Sequence, residues 1–180
     1  MVSAVGLAAG ESTRHLAIQV RFYNVFQSKG DFSLFSIPRE DVSLQRRFPH
    51  NLTSSFFQYL DLSDCPHVDD TSLRLVVESC PQLQFLYLRR CASLSDAGLR
   101  AIASYCLLLR ELSVSDCPNI SDNGLSELGR LGPSLRYLSV AKCDLLTDSG
   151  VRTLARHCYR LRYLNLRGCE QVFSIQFTPW

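Results

Sequence analysis

Eight cysteines are the most chemically capable residues of this chain, and their spacing decides which chemistry is open to them. A thiolate can ligate a metal, attack a carbonyl or join a disulfide. Cysteine metal sites want close pairs such as C-x-x-C, and here the nearest two, Cys80 and Cys91, stand 11 residues apart. Four histidines, His15, His50, His67 and His157, share no motif. His157 adjoins Cys158, but a nucleophilic Cys–His pair has to face across space rather than adjoin in sequence. No phosphate-cradling glycine loop, paired-carboxylate pattern or triad motif is present. These residues predict a non-enzyme with no metal and no cofactor.

The spacing has another meaning. Cys65, Cys91, Cys117, Cys143 and Cys169 follow one another at intervals of 26 residues. Cys80, Cys106 and Cys158 keep the same period, with Gly132 in the missing place. Two rows of leucine share it: Leu60, Leu86, Leu112, Leu138 and Leu164, and Leu83, Leu109, Leu135 and Leu161. So do Asp70, Asp96, Asp122 and Asp148. Self-similarity at this period with an L-x-x-L-x-L-x-x-C core marks the leucine-rich repeat, one short strand plus one helical segment per unit. Buried, reduced, structural thiols follow. Five equivalent cysteines stacked about 4.8 Å apart on neighbouring coils cannot pair off without a remainder, and each already has a packing role. Reduced thiols favour the cytosol or nucleus.

Each unit has a physical reading. Leu86 and Leu88 flank an outward Tyr87, as a half-buried strand requires. Cys91 then turns inward, its small thiol buried and able to donate weakly to turn carbonyls. Ser95-Asp96, Ser121-Asp122 and Thr147-Asp148 predict helix starts, a hydroxyl cap followed by an acid at the positive end of the dipole. Leu99, Ile102, Ala103 and Cys106 mark one helical face, and Pro81 and Pro133 follow helix ends. No unit buries its apolar edge alone. The expected fold is therefore a right-handed α/β solenoid of about four and a half units, with parallel strands on the concave face and helices on the convex face.

The stretches Leu112-Ser-Val-Ser-Asp-Cys117, Leu138-Ser-Val-Ala-Lys-Cys143 and Leu164-Asn-Leu-Arg-Gly-Cys169, with the Ser/Thr-Asp-x-Gly helix starts, resemble the cysteine-containing repeats of the F-box/LRR protein family. The resemblance covers residues 56–172. It implies the substrate-recognition arm of an SCF-type cullin-RING ubiquitin ligase, docked through an F-box on an adaptor and cullin. Residues 1–55 hold no clear F-box, and Ile37-Pro38-Arg39-Glu40 is the nearest approach to its opening Leu-Pro pair. After Val172 the repeat gives way to Phe173-Ser-Ile-Gln-Phe-Thr-Pro-Trp180. The expected organisation is an N-terminal segment (1–55), a repeat domain (56–172) and a non-repeat tail (173–180), a fragment or spliced isoform with ends from elsewhere. The alternative is a stand-alone interaction fragment without a ligase.

The N-terminal segment is aromatic between Val20 and Phe35 and is broken by Lys29-Gly30-Asp31. It defies assignment to an element, although covering the edge of the first coil is one job open to it. The alternation Phe173, Ile175, Phe177 suits a strand at the other end. Asn51-Leu52-Thr53 fits a glycosylation sequon that an intracellular chain leaves idle. With 180 residues, 46% of them hydrophobic, the chain suits a single soluble domain, and no apolar run is long enough to span a bilayer.

The concave face is the expected site. Its outward columns read Tyr59, Phe85, Glu111, Tyr137, Tyr163, then Asp61, Tyr87, Ser113, Ser139, Asn165, then Ser63, Arg89, Ser115, Ala141, Arg167, bordered by Asp64, Arg90, Asp116 and Lys142. Exposed aromatic rings and arginines dominate protein interfaces. The residues expected to meet a protein partner are Tyr59, Phe85, Tyr87, Arg89, Glu111, Asp116, Tyr137, Tyr163, Asn165 and Arg167. Tyrosines that merely stack along the sheet are the competing explanation. From Phe56 onward 13 Lys and Arg balance 13 Asp and Glu, which argues against nucleic acid as the partner.

Overall fold

The structure, a computed structural model, describes residues 18–23, 33–37 and 57–173. A seven-stranded sheet runs through them in the order β2-β1-β3-β4-β5-β6-β7. Five of the strands, β3 (Tyr59–Asp61), β4 (Phe85–Tyr87), β5 (Glu111–Ser113), β6 (Tyr137–Ser139) and β7 (Tyr163–Asn165), are parallel and pair in strict repeat register, so that Leu60, Leu86, Leu112, Leu138 and Leu164 lie side by side. Between successive strands run α1 (Asp70–Ser79), α2 (Asp96–Tyr105), α3 (Asp122–Leu128) with a 3-10 turn at Gly129–Leu131, and α4 (Asp148–His157). This is the expected α/β leucine-rich-repeat solenoid. No described helix is long and apolar enough to cross a membrane.

The leucine rows form the core. Leu60, Leu86, Leu138, Leu83, Leu109 and Leu135 are wholly buried. In the first half unit, Phe57 occupies the place of Leu83 and packs partly buried against that core. The thiols lie within it as donors. Cys91 Sγ donates to Leu62 O at 3.3 Å, Cys117 to Leu88 O at 3.2 Å, Cys143 to Val114 O at 3.3 Å and Cys169 to Val140 O at 3.1 Å. Each thiol thus meets a carbonyl of the coil before it. The residue preceding each of these cysteines, and preceding Cys65 as well, takes a left-handed backbone: Asp64 (φ 63°), Arg90 (57°), Asp116 (59°), Lys142 (55°) and Gly168 (77°). A non-glycine residue is strained there. What holds it is the turn itself, whose amides donate to the next coil, as Asp64 N does to Arg89 O at 2.8 Å and Arg90 N to Ser115 O at 2.9 Å.

The aspartate comb does more than sit at a helix dipole. Ser95, Ser121 and Thr147 are the N-caps, as expected. Each is gripped by the aspartate of the coil before it. Asp96 Oδ1 accepts from Ser121 N at 2.8 Å while its Oδ2 accepts from Ser121 Oγ at 2.6 Å, and Asp122 holds Thr147 at 2.8 and 2.6 Å in the same way. Asp70 also accepts from Gly98 N at 2.9 Å, and a Cβ at Gly98 would stand only 2.6 Å from that same oxygen. The glycine of Ser/Thr-Asp-x-Gly makes room for the previous coil's carboxylate. At Gly132, the gap in the second cysteine comb, a Cβ would collide with the backbone carbonyl of His157, so no cysteine fits.

The N-terminal segment differs from the sequence expectation. Residues that resisted assignment form two strands, β1 (Ile18–Tyr23) and β2 (Ser33–Ile37), paired antiparallel with each other, and β1 pairs antiparallel with β3 through Arg21↔Asp61 and Tyr23↔Tyr59. The alternation Ile18-Gln19-Val20-Arg21-Phe22 carried the signal, and its competitor was the aromatic density of the stretch. Antiparallel addition gives the first coil's edge the backbone partners that a solenoid end otherwise lacks. Lys29-Gly30-Asp31, the sequon at Asn51, His15 and His50, the Ile37-Pro38-Arg39-Glu40 stretch beyond Ile37, and Ile175 and Phe177 lie outside the described residues.

Candidate functional site

The strands present alternate residues to one face, and the five parallel strands bring the predicted concave residues together in rows. The rows are not uniform. Toward the N-terminal end the side chains satisfy one another. Tyr59 lies with its ring centroid 5.2 Å from that of Tyr87 and 6.4 Å from that of Phe85. Tyr87 Oη donates to Glu111 Oε1 at 2.7 Å. Burial, reinforced by the Glu111 carboxylate, raises the Tyr87 phenol well above the ordinary tyrosine range, so it stays a donor. In the middle rows Ser115 and Ser139 hydroxyls meet at 2.8 Å, and Asn165 Nδ2 donates to Ser139 Oγ at 3.1 Å.

Toward the C-terminal end the rings are open. Tyr137 is 43% exposed and Tyr163 55%, and their Cα positions pair directly across β6 and β7. Arg89 and Arg167 are exposed on the third column. Asp116 belongs to the bordering ladder of alternating charge at the left-handed turn positions: Arg90 pairs with Asp64, and Lys142 Nζ with Asp116 Oδ1 at 3.3 Å. Exposed pairs of this kind contribute little stability.

One column escaped the sequence reading. The residue before each parallel strand runs Gln58, Gln84, Arg110, Arg136, Arg162. Arg136 N donates to Arg110 O at 2.7 Å and Arg162 N to Arg136 O at 2.7 Å, so the three arginines follow one another coil by coil. Their 26-residue spacing was readable, but the search for periodicity followed the apolar and turn residues.

The cysteines are withdrawn from chemistry. Burial pushes the Cys80, Cys91, Cys106 and Cys143 thiols up to about 12 and Cys158 up to about 11, and it raises Cys65, Cys117 and Cys169 as well. A thiol that keeps its proton is neither nucleophile nor metal ligand. All eight are unpaired, and the described residues contain no cluster of His, Cys, Asp and Glu arranged to hold a metal ion. His157 Nδ1 lies 2.8 Å from Thr153 O in its own helix.

Comparison with known proteins agrees with this geometry. Residues 79–103, 105–129 and 133–155 match the family model described as Leucine Rich repeat. No curated protein matches the chain. A chain in the crystal structure of the Rad7 and Elc1 complex from yeast is similar in fold, with a TM-score of 0.53 and 19% identity. The match covers 61% of this chain and 28% of that one, so this chain spans less than a third of its length. The chain carries leucine-rich repeats and folds as their α/β solenoid.

Proposed function

We propose that this chain is a protein-recognition module that takes a protein partner on its concave face and contributes no bond-making chemistry. One observation carries the reading. Tyr137 and Tyr163 stand half exposed side by side on β6 and β7, which pair in register over a wholly buried Leu138 and a partly buried Leu164. A rigid, amphipathic ring loses little entropy on contact, which is why tyrosine anchors interfaces. Repeat solenoids offer such concave surfaces to protein partners.

The resemblance to the F-box/LRR family supports a finer reading, in which the partner is a substrate of an SCF-type cullin-RING ubiquitin ligase in the cytosol or nucleus and the repeat domain (56–172) is its receptor arm. The alternative is an interaction fragment with no ligase attached. A tagged chain incubated with cell lysate tests both readings. Stoichiometric recovery of the F-box adaptor and cullin favours the ligase arm, and recovery of other proteins without them favours the fragment. Replacing both rings (Y137A/Y163A) abolishes partner capture while leaving the circular dichroism unchanged. Undiminished capture would remove the concave reading.

A further inference from the structure

The balance of 13 cations against 13 acids from Phe56 onward conceals a division of labour. Several of the acids are spent within the repeat itself. Asp70, Asp96 and Asp122 hold the caps of the next coil, Asp64 and Asp116 pair across the turns, and Glu111 accepts from Tyr87. The arginine column is treated differently. Arg110 and Arg162 are exposed and Arg136 is half-buried, and none of the three forms an ion pair among the described residues. Neighbouring strands lie about 4.8 Å apart, and like charges on adjacent strands repel. Nothing in the fold requires this repulsion, because Gln58 and Gln84 fill the same position in the first two coils. In sequence each arginine immediately precedes a residue of the first concave column, Arg136 before Tyr137 and Arg162 before Tyr163, and both rings are open.

We propose that Arg110, Arg136 and Arg162 form a guanidinium ladder that binds an extended, acidic segment of a protein, its carboxylates held by the ladder and its side chains packed on Tyr137 and Tyr163. The inference rests on the recognition reading above and names its partner's chemistry. Arginine suits the role because its planar fork takes a carboxylate through two parallel N–H···O bonds. The neutral Gln58 and Gln84 confine the acidic segment to the last three coils. A protein ligand is favoured over a nucleic acid because the ladder is short, with three guanidinium groups, and Glu111 directly follows Arg110.

Fluorescence anisotropy with labelled polyglutamate tests the proposal on the full chain. The chain is expected to bind polyglutamate and not polylysine, with affinity that falls as salt is raised from low to physiological. R136Q/R162Q weakens polyglutamate about tenfold or more, with thermal unfolding unchanged. No binding, binding indifferent to salt, or binding that R136Q/R162Q leaves intact overturns the ladder. Tighter binding of oligouridylate than of polyglutamate overturns it in favour of nucleic acid. Should R136Q/R162Q fold poorly, R162Q alone and the salt dependence of the unaltered chain carry the test. The two readings fail separately. Partner capture lost in Y137A/Y163A but retained in R136Q/R162Q keeps the concave face and ends the acidic ladder, whereas capture indifferent to Y137A/Y163A ends the concave reading itself.

Discussion

The two ends of the concave sheet share one scaffold and differ in what their side chains leave undone. Around β3 and β4 the rings of Tyr59, Phe85 and Tyr87 lie together and Glu111 completes the set, so that region is closed upon itself. Around β6 and β7 the corresponding rings, Tyr137 and Tyr163, are open, and the Gln column has become Arg. Charge follows the same axis. Residues 57–82 carry Asp61, Asp64, Asp69, Asp70 and Glu78 against Arg74 alone, whereas residues 135–173 carry seven cations against Asp144, Asp148 and Glu170. A repeat can fix its backbone through one set of positions and vary its surface through another. The same aromatic residue type is structural at one end and available at the other, and only its neighbours decide which.

The largest effect tests whether the scaffold really is common to both ends. A thiol whose folded pKa lies above its unfolded value keeps its proton longer in the native state. Its contribution is fully present below pH ~9, near the unfolded value, and is lost as the pH climbs toward the folded one. Burial raises all of these thiols, Cys80, Cys91, Cys106 and Cys143 up to about 12 and Cys158 up to about 11, so rising alkalinity removes their contribution from every coil. Circular dichroism followed upward from pH ~9 in reducing buffer should show one cooperative collapse. Two separate transitions would mean that the halves do not share a core.

A smaller effect probes the leucine row beneath the two faces. Leu86 and Leu138 are both wholly buried at equivalent strand positions. L86A and L138A should each cost about 2–5 kcal/mol in urea unfolding, and the two values should be similar. A large disparity would place the difference between the ends in the core rather than on the surface.

The smallest effect separates structural from available aromatics. Y59A removes ring contacts to Phe85 and Tyr87 and should cost about 1–2 kcal/mol. Y163A, at a half-exposed ring, should change stability by about 0.5 kcal/mol or less. Equal costs would erase the distinction between the two ends.

The comb of cysteines, leucines and aspartates was legible in the sequence because every coil needs the same inward residues to bury the same edge, and an unvarying need leaves a period. The period gave strands, helices, caps and the buried state of the thiols. The hairpin at β1 and β2 was hidden because it repeats nothing, and its register depends on an edge offered by β3 far along the chain. The roles of Asp96 and Gly98 were half legible: the motif announced a helix start, but a carboxylate reaching into the next coil exists only once the coils are stacked.

By itself the sequence determined that this chain stacks, how often, and which residues face inward, since periodic burial is a local demand repeated. Only the tertiary structure decided which outward residues are free. Tyr87 and Tyr163 occupy neighbouring columns of one sheet, and no rule of spacing tells them apart. Tyr87 finds Tyr59 and Glu111 within reach, whereas Tyr163 stands more than half exposed at the last parallel strand. Availability is a property of what lies across space.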